Sequence, residues 1–253
     1  MDLIFRAGIN HINSYLAAER LGEDFPHYAA IFGRAAYMLR GAHWAGRVGM
    51  YYPIETAQGF YCPETIGVNS GARLSEAEKL AEETLHRMNV ELAEAGLDYT
   101  VIDADWILEA ALSDGRLSAN GLEIDAVIMP AVRWLDPAVR EKLRAFEESG
   151  GLLLWTGAAP EGEPLCDDPV SVLSEHIDYG LQTEASRPDA LFVSPYEKEG
   201  KRMWYLVNSS PEENRVTVSA DAPAEVWDTF TGETADGLSF TMPPYSSVFV
   251  VVR

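Results

Sequence analysis

The stretch Asp125 to Gly157, DAVIMPAVRWLDPAVREKLRAFEESGGLLLWTG, decides the fold. Ala126 to Met129 is a short apolar run closed by Pro130, which cannot donate to a β-ladder and so ends a strand. Asp136-Pro137 reads as an N-cap followed by proline at the first helical position. Val139, Leu143 and Phe146 recur at helical spacing, with Arg140, Glu141, Lys142 and Arg144 between them. Gly150-Gly151 stops the helix, and Leu152 to Trp155 is a second continuous apolar run. Two strands apolar throughout, joined by an amphipathic helix, predict a βαβ unit in a buried parallel sheet.

Working upstream, Val48 to Tyr52 reads as a strand ended by Pro53. Ser75 with Glu78 three residues later is a capping box opening a helix to about Ala95, with Leu80, Leu85, Met88 and Leu92 on one face. Tyr99 to Ile102 is the next strand, Asp103 and Asp105 lead into a helix from Trp106 to Leu112, and Asn120-Gly121 marks a short β-excursion over Leu117 to Leu122. The order β-α-β-α-β-α-β predicts an α/β fold with an open, doubly wound parallel sheet of flavodoxin-like type. Downstream lie an acidic linker, EGEPLCDDP, and a short helix from Val170 to His176. From Leu191 short apolar runs alternate with Pro, Gly, Asn and Asp, which predicts a small antiparallel β-sandwich.

At the other end, Leu3 to Phe5 and Ala7-Gly8-Ile9 read as a buried strand, Asn10 to Tyr15 as a polar loop, and Phe25 to Ala42 as an amphipathic helix. A strand, a polar loop at its carboxyl end and a covering helix form one unit of a (β/α)8 barrel. The expected division is therefore 1–46, the last βα unit of a truncated barrel; 47–185, the α/β domain; and 186–253, the sandwich. Asn10 and His11 then stand where barrel enzymes keep substrate-binding groups; spacing alone also reads them as loop caps.

Of the 253 residues, 47% are hydrophobic and 23% charged, ordinary for a globular chain with a real core. The net charge of −21 is not ordinary, and it argues against nucleic acid and anionic membrane as partners. No stretch reaches the length of a membrane span and no basic leader precedes an apolar run, so a cytoplasmic location is the expectation. Cys62 and Cys166 are too few for a disulfide scaffold or a multi-cysteine metal site, though one bridge between them stays open.

The usual ligand sites of a doubly wound sheet are missing. Pro53 and Glu55 stand where a Gly-rich phosphate loop would follow the first strand, and there is no Walker pattern. No cysteine lies on a strand-to-helix elbow between glycines, and Cys166 sits in an acidic loop without an evident base. No cofactor, metal ligand set or catalytic residue is assigned. Glu55, at a strand's carboxyl end, is expected to cap or hydrogen-bond. Glu19, Glu23 and Asp24 lie in the first βα loop, where a carboxylate pair is conceivable, and they read as solvated rather than as a preorganised pair.

GINHINSY, LRGAHWAGRVGMYYPIE, DYTVIDADWI, the βαβ unit and VWDTFTGE with FTMPPYSSVFVVV follow one another in an order that resembles the C-terminal part of multidomain glycoside hydrolases of the α-L-rhamnosidase-like kind. The layout is similar in β-galactosidases that carry an amidotransferase-like trimerisation domain. The resemblance implies the end of a catalytic barrel, a class I glutamine-amidotransferase-like domain without a nucleophile (Ala158-Ala159 fits that lack) and a C-terminal β-sandwich. It also implies that Asn10 and His11 bind substrate while the catalytic carboxylates lie on barrel strands this sequence does not contain. The expected role is an assembly module plus one wall of a sugar site, inactive alone, with a carbohydrate partner and a homo-oligomer left open. Two readings compete with it. One is a free-standing acyl or amide hydrolase, which lacks a nucleophile with its base; the other is a carbohydrate-binding or scaffold protein, with Trp204, Tyr205 and Trp227 as candidate platform residues.

Overall fold

The computed structural model describes residues 22–60 and 74–253. Along the chain they form α1 (Phe25–Leu39), β1 (His43–Trp44), β2 (Val48–Tyr51), α2 (Ile54–Phe60), α3 (Glu76–Glu94), β3 (Thr100–Ile102) and α4 (Ala104–Glu109). There follow β4 (Ala111–Ser113), β5 (Arg116–Ala119), β6 (Leu122–Ile124), β7 (Ala126–Pro130), α5 (Pro137–Glu148), β8 (Leu152–Thr156) and α6 (Pro169–His176). The remainder is β: β9 (Leu181–Ala185), β10 (Leu191–Lys198), β11 (Lys201–Asn208), β12 (Asn214–Ala220), β13 (Ala224–Asp228), β14 (Thr234–Ala235), β15 (Ser239–Met242) and β16 (Ser247–Val252). The expected strand over Leu3 to Ile9 lies outside the described residues.

The chain divides into two compact units. Among the described residues, one gathers those up to Ala45, Ala93–Asp98 and Asp178–Arg253; the other gathers those from Gly46 to Leu92 and Tyr99–Ile177.

The second unit is built on a four-stranded parallel sheet in the order β3-β2-β7-β8. Its central strands β2 and β7 are buried at every position, as expected where helices cover both faces. The helix starts follow the sequence signals. Ser75 and Glu78 satisfy each other reciprocally at 2.7 and 3.2 Å, and Asp136 accepts the Ala138 N–H at 2.7 Å. In α5, Val139, Leu143 and Phe146 are fully buried, each contributing about 2 kcal/mol by removal from water. Gly151 is required because a Cβ there would overlap the Phe146 ring.

The helix expected from Trp106 to Leu112 ends earlier, at Glu109. Its last residues instead enter a three-stranded meander, β4-β5-β6. Two turns close it, Asp114-Gly115 with φ of 49° and 72° and Asn120-Gly121 with 52° and 78°, the left-handed pairs that tight hairpins demand. At the amino ends of β2 and β7, Asp125 holds both Arg47 and Arg116, the latter at 2.7 Å.

The first unit holds two antiparallel sheets. Six strands run β1-β10-β11-β16-β13-β14, and three run β15-β12-β9. Their shared core contains Trp204, Leu206, Val216, Val218, Met242 and Val250. The strand β9, unmarked by strong alternation, pairs with β12 from Leu181↔Ala220 to Ala185↔Val216, so this unit resumes at Asp178, ahead of the expected 186. On the opposite face of the six-stranded sheet, Ala35 and Leu39 of α1 meet Met203, Tyr205, Val207 and Phe249. The helix read as cover for a barrel strand thus covers this sheet. Coverage on both faces explains why β11 and β16 are apolar runs rather than alternating ones. Tyr205 and Phe249 stack there with ring centroids 4.6 Å apart.

Candidate functional site

Doubly wound sheets place ligands in the crevice outside the carboxyl ends of their strands, where strand order reverses. The second unit has a cavity of about 740 Å³ in that position, between the segments that follow β2, β3 and β7. Glu55 and Gln58 of α2, Asp105 and Leu108 of α4, and Trp134 and Asp136 of the β7–α5 loop line it.

Local chemistry fixes each wall. Asp103 caps α4 by accepting the Trp106 N–H at 2.8 Å, which sets Asp105 in the first turn. Thr56, fully buried, accepts the N–H groups of Arg133 and Trp134 at 3.1 and 3.3 Å. The loop is therefore pinned while the Trp134 side chain remains out, the residue being 52% exposed. Glu55 accepts the Tyr51 hydroxyl at 2.6 Å, so its role is hydrogen bonding. Burial, then the hydrogen bond to Glu55 and the nearby acidic charges, push the Tyr51 phenol far above its usual range. Tyr51 stays a donor and offers no base.

The elbow after β7 is occupied by Ala131, with φ of 49° and 1% exposure. A strained strand-to-helix turn of this kind is where hydrolases on related sheets present a nucleophile. Here the side chain is a methyl group. Ala158-Ala159 follow β8. Cys166 is a free, half-buried thiol, and its sulfur makes no hydrogen bond among the described residues. Among the described residues no group of three or more His, Cys, Asp or Glu could hold a metal ion.

Asn10, His11, Glu19 and Cys62 lie outside the described residues. Glu23 and Asp24 are exposed in a single turn before α1, fitting solvated acids. Trp204 and Tyr205 are buried on opposite faces of one sheet and present no platform, and Trp227 is half-buried with its indole N–H on Glu225 at 2.8 Å. A cavity of about 400 Å³ in the first unit is lined by Tyr37, Met38, Trp227 and Phe249. Its guanidinium, Arg34, is engaged by the carbonyls of Thr229 and Phe230 at 2.9 and 2.6 Å. Sequence reasoning named Glu55 but missed Gln58 and Trp134; a tryptophan beside Arg133 in the loop just past a buried strand was the available signal.

No family model and no curated protein matches the chain. Solved structures do. A rhamnosidase from Novosphingobium sp. PP1Y matches 92% of this chain with a TM-score of 0.61 at 14% identity. The chain's fold resembles part of that structure. Gan42B, a GH42 β-galactosidase from G. stearothermophilus, matches 92% with a TM-score of 0.62 at 12% identity. A β-galactosidase from Bacillus circulans sp. alkalophilus matches 95% with a TM-score of 0.60, also at 12% identity. The chain spans 25% of the rhamnosidase, 44% of Gan42B and 46% of the third. At these identities the likeness is one of fold, a parallel sheet joined in sequence to antiparallel sheets.

Proposed function

We propose that the chain is the C-terminal portion of a carbohydrate-active glycoside hydrolase of the α-L-rhamnosidase-like kind. It serves as an assembly module and supplies one wall of the sugar site. Its domain after residue 46 is amidotransferase-like on a flavodoxin-like sheet; in sequence numbering the four parallel strands lie in the order 2-1-3-4, which supports that assignment. Asn10 and His11 hydrogen-bond sugar hydroxyls at the end of the last barrel strand.

The supporting observation is the match of nearly the whole chain to glycoside hydrolase structures more than twice its length. The methyl group of Ala131 supports a non-catalytic sheet. Hydrolysis of a glycosidic bond normally needs two carboxyl groups flanking it at fixed separation, and this reading assigns them to barrel strands that the sequence does not contain.

The test is the reading frame upstream of Met1. If it encodes the missing barrel strands, expression of the longer product yields turnover of an aryl α-L-rhamnoside. A frame closed immediately upstream, with this chain made alone, contradicts the proposal. The β-galactosidase structures match equally well in TM-score, so an aryl β-D-galactoside belongs in the same assay. Turnover of that substrate alone would assign the portion to a β-galactosidase-type enzyme.

A further inference from the structure

We propose that the cavity at the carboxyl ends of β2, β3 and β7 is a non-catalytic binding site for a neutral saccharide. This goes beyond the wall role of Asn10 and His11 and does not depend on it. Its volume of about 740 Å³ lies within the range that holds small ligands. Three carboxylates, Glu55, Asp105 and Asp136, converge on it in a chain of net charge −21, which rejects phosphorylated, sulfated and carboxylated ligands.

What remains is a ligand rich in hydroxyl groups. The side chains of Asp105 and Gln58 line the cavity with no hydrogen bond to another side chain among the described residues, the carboxylate able to accept O–H groups and the amide to donate and accept. Trp134 and Leu108, 52% and 43% exposed, supply an apolar wall for the C–H face of a pyranose ring. The buried Thr56 hydroxyl fixes the Trp134 backbone, so the indole is presented without ordering a loop on binding. An acidic cavity with an indole also suits an organic cation, which makes that the competing ligand.

The experiment titrates the whole chain with D-galactose, L-rhamnose and lactose, and separately with choline, by calorimetry. Saturable binding of at least one sugar, with a Kd on the order of millimolar, is expected, and no comparable heat from choline. Trp134→Ala and Asp105→Asn should each weaken that sugar by about tenfold or more, while Trp227→Ala leaves it unchanged. Both altered positions are solvent-exposed, and an unchanged melting temperature in either one secures the comparison. Absence of binding to all three sugars overturns the proposal. So does binding of choline alone, or sugar binding indifferent to both substitutions. Each outcome is independent of whether the chain belongs to a hydrolase, which is read from turnover by the longer product.

Discussion

The Thr56 hydroxyl accepts the backbone N–H of Trp134 at 3.3 Å across 78 positions of sequence, and the N–H of Arg133 at 3.1 Å. One buried side chain on α2 thereby holds the loop that carries the exposed indole. Thr56→Val keeps the shape and removes the acceptor. It should cost about 1–3 kcal/mol, the usual penalty for unpaired donors near a core. Thr56→Ser should cost less. Urea unfolding of both variants checks this, and equal losses would mean that packing of the methyl group, not the hydroxyl, holds the loop.

Ala131 sits at φ of 49°, a conformation that strains any residue with a Cβ. Ala131→Gly should raise stability by about 0.5–1 kcal/mol, the strain relieved less the added freedom of the unfolded chain. A loss of stability on thermal melting would show that the methyl group packs more favourably than its backbone strains.

Tyr51 carries a phenol whose pKa is raised above the ordinary 10.0, first by burial and then by Glu55. Because the folded state keeps the proton, its contribution is complete below pH 10 and declines above it, by up to about 1.4 kcal/mol per pH unit. Tyr51→Phe should be less stable at pH 7 by about 1 kcal/mol, through loss of the bond to Glu55. That deficit should shrink as pH rises from 10 to 11. A constant difference across the range would contradict the raised pKa.

Ser194 is fully buried and its hydroxyl oxygen has no hydrogen-bond partner among the described residues. Removing an unsatisfied buried polar atom relieves its desolvation cost. Ser194→Ala should leave the melting point unchanged or raise stability by up to about 1 kcal/mol. A clear drop in melting temperature would show a partner for the hydroxyl.

How much of this was legible follows from where each signal sits in the chain. The unit from Asp125 to Gly157 was fully readable because cap, stripe and stop are local: Asp136, Val139-Leu143-Phe146 and Gly150-Gly151. The strand Leu181–Ala185 was not, since its half-buried alternation gains meaning only through pairing with β12. The apolar stripe of α1 was visible, but a stripe does not name its partner, and the partner is a sheet more than 150 residues later. For the cavity, Glu55 stood out at a strand's carboxyl end, while Asp105 was read only as part of a helix start. Trp134 gained its role from a hydroxyl 78 positions away, which no local pattern carries.

For the proposed sugar wall, His11→Ala belongs in the longer product. It should lower kcat/KM about tenfold to a hundredfold, the effect of one lost hydroxyl contact, with an unchanged melting temperature. A lower melting temperature with unchanged turnover would make His11 a loop cap.

The central claim, a glycoside hydrolase portion without its own catalytic carboxylates, is tested most directly by assaying the purified chain against aryl α-L-rhamnosides and β-D-galactosides. No turnover above background is predicted. Turnover that follows the protein through purification and vanishes on replacing Glu19, Glu23 or Asp24 would contradict it.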